Sequence, residues 1–171
     1  LIIIAFIVNL PIYNVRAQSD DFLESIQISL NSGDYDELAN RLRSRVSTPD
    51  TGGVVISAYL ESFLHSGRIS EGLVEAEKIV EDHASDPFAH YMYGRLLRRS
   101  GEYDKSLLEF REAGRLRRNF WTNAIEYADL LRETGNRRDV EQIASTIVSA
   151  YKQGYFKTAK TLTVAGRAAA M

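Results

Sequence analysis

The chain has 171 residues, a net charge of −2, 26% charged and 44% hydrophobic residues, the make-up of an ordinary globular domain long enough to bury a core. That balance excludes a disordered chain and a nucleic-acid-coating one. Cysteine is absent, which removes disulfides, thiolate metal sites and cysteine nucleophiles and leaves the redox compartment unread.

Residues 1–17 stand apart. LIIIAFIV is an unbroken apolar run, followed by Pro11 and by Val15, Arg16 and Ala17. It reads as the end of a secretory signal peptide cut after Ala17, which leaves Gln18 first. The basic segment expected before the run is missing and the chain begins with Leu1, so the sequence reads as a fragment cut inside its leader. On this reading the protein is exported, periplasmic or secreted. The alternative is a membrane anchor formed by an uncleaved leader, although the visible run is shorter than the roughly 20 apolar residues that span a bilayer.

From residue 18 onward the sequence repeats. SGDYD at 32–36 returns almost unchanged as SGEYD at 100–104. Gly33, Gly67, Gly101 and Gly135 follow one another at a single even spacing. A fixed period of this size predicts stacked supersecondary units. Four units follow, 19–52, 53–86, 87–120 and 121–154, each predicted as helix, glycine turn, helix.

The first unit keeps Gly33, Tyr35, Leu38 and Leu42 behind a weak first helix, as a terminal cap would. The second carries Tyr59, Phe63, Gly67, Ile69 and Ala76. In the third, Asp86 is a predicted N-cap and Pro87 a first-turn residue. Phe88, Tyr91, Met92, Gly94 and Leu97 then form one face, and Arg98 and Arg99 precede the stop at Gly101. Tyr103, Leu107, Phe110, Ala113 and Leu116 recur at helical spacing, so Tyr103 and Phe110 are expected in the core. The fourth unit has Tyr127, Ala128, Leu131 and Gly135, with Arg137 where the turn aromatic would fall. Residues 155–171 place Leu162, Ala165 and Ala169 on one face and read as a further first helix whose partner lies beyond Met171.

These residues resemble the tetratricopeptide repeat (TPR) family, whose unit has the same period. Gly94 stands at its small helix-packing position, Gly101 and Tyr103 at its turn, and Phe110 and Ala113 at its second-helix core pair, with Ser106 for the usual Ala and Arg118 for a frequent Pro. The resemblance implies an all-α, right-handed α-solenoid with a concave face lined by first helices. By register, Ser57, Glu61, Tyr91, Arg95, Arg98, Ile125, Asp129 and Arg132 point to that face. The Lys and Asn set with which some members grip a partner's C-terminal carboxylate is not present at these places.

Chemistry has little support. His65, His83 and His90 lack metal-ligand spacing, and acids such as Glu75 and Glu77 read as solvated helix surface. No phosphate-binding loop or nucleophile elbow occurs. The expectation is a non-catalytic protein-interaction scaffold with no cofactor and no metal. The rival is an accessory binding module of a larger exported enzyme, such as a hydrolase, whose catalytic part follows Met171.

Arg95 to Arg118 holds eight basic against four acidic residues, which reads first as solvated helix surface with Glu–Arg pairs; as a site it suits an acidic protein or peptide partner more than a nucleic acid, since the aromatics fall on core positions. The expected partner site is Tyr91, Arg95, Arg98, Asp129, Arg132 and Glu61, with Tyr91 and Arg95 as the anchor pair. The competing expectation is that Glu61 or Asp129 already pairs with Arg95 and leaves no site.

Overall fold

A computed structural model describes residues 20–154. The predicted leader at 1–17 and the trailing helix at 155–171 lie outside the described residues. Between them run eight helices: α1 (Asp20–Ser32), α2 (Tyr35–Val46), α3 (Gly53–Ser66), α4 (Ile69–Asp82), α5 (Pro87–Ser100), α6 (Tyr103–Leu116), α7 (Trp121–Glu133) and α8 (Arg137–Lys152). They pack as antiparallel pairs. The second helices α2, α4 and α6 also rest on the first helix that follows each, and α3 touches both α1 and α5. This order of contacts is that of a helical repeat arrangement.

The turns follow from glycine. Gly33, Gly67, Gly101 and Gly135 all have φ between 75° and 86°, the left-handed region that residues with a Cβ avoid. At Gly101 the chain reverses in a Schellman stop, where the Glu102 N–H donates to the Leu97 carbonyl at 2.9 Å. Equivalent bonds run from Asp34 to Ser29 and from Asn136 to Leu131. The start of α5 is equally local. The Asp86 carboxylate accepts from the N–H groups of Phe88 and Ala89, at 2.7 and 3.3 Å, with Pro87 in the first turn.

Close approach then sets the packing. A Cβ on Gly94 would lie 2.8 Å from the Phe110 ring, and one on Gly72 would lie 2.8 Å from both Leu96 and Phe63. Gly94 therefore lets α5 and α6 meet within a unit, and Gly72 lets α4 receive α5 of the next. Ser106 donates its hydroxyl to the Gly94 carbonyl at 2.7 Å in the buried seam. Asn123 does the same between units, donating to the Phe110 carbonyl at 2.8 Å. His90 is buried and bridges Glu109 of α6, at 2.7 Å, and the Ala84 carbonyl, at 3.0 Å. The Glu109 carboxylate is the main reason its pKa is raised.

One core cluster runs from Ile26 through Tyr59, Phe63, Met92, Leu96 and Phe110 to Leu130. A second, smaller one lies between α7 and α8, around Ile125, Ala144 and Ile147. Phe110 is fully buried, as expected, but Tyr103 is not: it is 46% exposed. The spacing placed Tyr103 correctly on the helix, one turn before Leu107. It is the first residue of α6, beyond the reach of the neighbours that cover Phe110.

Two outcomes test this packing. Phe110→Ala should destabilise the fold by about 3–5 kcal/mol, and Tyr103→Ala by much less, in urea unfolding followed by helical circular dichroism. Gly101→Ala should cost about 1 kcal/mol or more, because the turn needs a positive φ. A Gly101→Ala protein as stable as wild type would place the turn elsewhere.

Candidate functional site

An open groove of about 600 Å³ is lined by Leu64, His65, Arg95, Arg98, Arg99, Tyr103, Glu126 and Glu133. Its walls come from the middle and last turns of α3, α5 and α7 and from the first residue of α6. These three first helices contribute equivalent turns of successive repeats, so residues distant in sequence form one surface.

The groove contains two of the six residues expected to meet a partner, Arg95 and Arg98. Both are engaged. Arg95 donates to the Glu61 carboxylate, one unit earlier at the same repeat position. Arg98 forks between Glu126, at 3.0 Å, and Glu133, tying α5 to α7. Burial by itself raises the pKa of Glu61. The hydrogen bond with His65 Nε2, at 3.0 Å, and the charge of Arg95 outweigh that and hold the carboxyl below its ordinary value. Burial opposes the charge on Arg95, but its surroundings, with Glu61 and Glu126 among them, leave the guanidinium more firmly protonated than usual. So the expectation that Glu61 pairs with Arg95 is met, while Arg95 still faces the groove.

Tyr91 is placed otherwise than expected. Its ring is 5% exposed and packs against Phe120 and Phe110, with centroids 4.9 and 6.1 Å apart. The Arg95 guanidinium lies 5.7 Å above the ring centroid, a cation–π contact that supports the arginine from beneath. Tyr91 is thus a floor under Arg95 and offers no ring to a partner. Asp129 is also buried and accepts from Arg132 at 3.1 Å; neither lines the groove. Ile125, expected to face inward, is buried between α7 and α8.

The sequence reading missed Leu64, His65, Arg99, Tyr103, Glu126 and Glu133 as groove residues. The signal was available for some of them. His65, Arg99 and Glu133 occupy one position of three successive repeats, in the last turn of each first helix. Among the described residues no group of three His, Asp or Glu could hold a metal ion, and no helix is long and apolar enough to cross a membrane. No protein-family model, no curated protein and no solved structure matches the chain.

The Glu61 carboxylate gives a pH-dependent outcome. Its folded pKa lies below the unfolded one, so its contribution is present above the unfolded value of about 4.3 and fades as pH falls through the folded value. Glu61→Gln should cost about 1–3 kcal/mol near neutral pH, and the gap to wild type should close in acid. A gap of constant size across that range in urea titrations would show that the carboxylate's charge is not what Arg95 and His65 use.

Proposed function

We propose that the chain is a TPR-like right-handed α-solenoid that binds a polypeptide partner and carries out no chemistry of its own. The even register of the positive-φ glycines supports the repeat reading, and so does the packing of second helices on the first helices that follow them. The observation that carries the functional reading is the groove itself. Three arginines from one helix line it, and two of them are pre-oriented by carboxylates from the helices on either side. Pre-oriented guanidinium groups lose less freedom when a ligand carboxylate arrives, which favours recognition. The apolar run at 1–8 supports a place of action outside the cytoplasm.

A displayed library of random peptides, panned against the purified chain, tests this. Recovered sequences should be enriched in Asp and Glu, and Arg98→Glu should weaken them roughly ten-fold or more with helical content unchanged. No enrichment, or equal binding by the variant, would remove the groove as a partner site.

A further inference from the structure

The repeat register compares turn positions directly. Two residues after each turn glycine stand Tyr35, Ile69, Tyr103 and Arg137. Tyr35 is not idle: its ring stacks on the His65 imidazole, with centroids 5.1 Å apart and planes 17° from parallel. His65 comes from the last turn of the next first helix. The residue in that place for Tyr103 is Glu133, two repeats after His65, and its carboxylate is taken by Arg98. Tyr103 therefore has the setting of Tyr35 without the planar partner, and it lies 46% exposed on the groove wall.

Beside it is an unused charge. Arg99 holds the repeat position of His65, one unit later, in the basic last turn of α5. Arg95 and Arg98 are both matched by carboxylates, whereas Arg99, which also lines the groove, makes no ion pair or hydrogen bond among the described residues. It precedes Tyr103 closely in the chain, just across the Gly101 turn. An open aromatic face and an unmatched guanidinium thus share one wall.

We infer that the groove selects a polypeptide segment bearing an aromatic side chain next to an Asp or Glu. The ring stacks on Tyr103 as His65 stacks on Tyr35, and the carboxylate pairs with Arg99. This rests on the reading of the groove as a polypeptide site and adds what it selects. A nucleotide could also combine stacking with charge. Glu126 and Glu133 in the same lining disfavour a multiply charged phosphate, and one unmatched cation suits a single carboxylate.

The probes are a capped Gly/Ser nonapeptide containing adjacent Trp and Asp, its Trp→Ala and Asp→Asn versions, and adenosine monophosphate, titrated calorimetrically. Wild type should prefer the Trp–Asp peptide over the Ala version roughly three- to ten-fold. Tyr103→Ala should erase that preference and Tyr103→Phe should keep it. Arg99→Gln should erase the preference for Asp over Asn, with the helical content of all variants unchanged. Equal binding of the Trp and Ala peptides, preferences that survive Tyr103→Ala or Arg99→Gln, tighter binding of the nucleotide, or no binding of any probe each overturns the inference. If panned acidic peptides still bind through Arg98 in those cases, the groove reading stands and only this selectivity falls. If they do not bind either, both fall.

Discussion

The arrangement depends on how closely α5 and α6 approach at Gly94. The Phe110 ring fills the space a Cβ would need, and the Gly94 carbonyl accepts from Ser106 within that seam. This contact fixes the angle inside the third unit, and Phe110 passes the constraint onward, since its carbonyl accepts from Asn123 at the start of α7. With α4 receiving Leu96 of α5 at Gly72, the second helices act as spacers. They hold α3, α5 and α7 at offsets that bring equivalent last turns to one surface. Such seams tolerate little change, because interiors are packed at crystal-like density and a lost or added methylene is felt.

The ion pairs on that surface are consequences of the same register. Glu61 and Arg95 hold one repeat position in successive units, and Arg98 and Glu133 are offset by one residue more, so opposite charges a repeat apart become lateral neighbours. Arg95 sits above the buried Tyr91 ring and beside Glu61. Paired and partly buried charges of this kind stabilise modestly once desolvation is counted. What they do well is fix side-chain direction. The arginines of α5 are like-charged at neighbouring helical positions, which is unfavourable alone. Carboxylates from α3 and α7 relieve that repulsion for Arg95 and Arg98 and leave Arg99 as a charge without a match among the described residues.

The readable part of this structure was the local part. Glycine turns, the Asp86 cap, Pro87 and the burial of Phe110 each follow from conformational preference or helical spacing within a few residues. The site was only half legible. Arg95 and Arg98, which the repeat put on one face, line the groove, but periodicity marks a stripe and does not say what covers it. Tyr91 and Tyr103 show both directions of that limit. Tyr91 is covered because Phe120, from the turn before α7, folds over it, a contact that skips the whole of α6 and that no helical pattern encodes. Tyr103 stays open at the first residue of α6, and where Tyr35 has the His65 ring the matching repeat position holds Glu133, which pairs with Arg98. Glu126 and Glu133 find Arg98 only through the placement of α7 beside α5.

The groove is polar where the seams are apolar, and the reason lies in what covers each. First helices touch neighbouring second helices through Gly, Ala, Leu and Phe, and that burial supplies most of the cohesion at about 25 cal/mol per Å². Their last turns extend past those seams, so their side chains meet each other along the groove. Apolar residues there would gain little burial and would leave an exposed patch prone to non-specific association. Charged residues can sit there at small cost, provided they are matched laterally, and their matching is set by single substitutions at one repeat position. His65, Arg99 and Glu133 are three different answers at that position: one stacks on a ring, one is unmatched among the described residues, and one holds an arginine. A repeat fold can therefore keep its seams constant while the last turns of its first helices vary, and in this chain that is where the open tyrosine and the unmatched arginine meet.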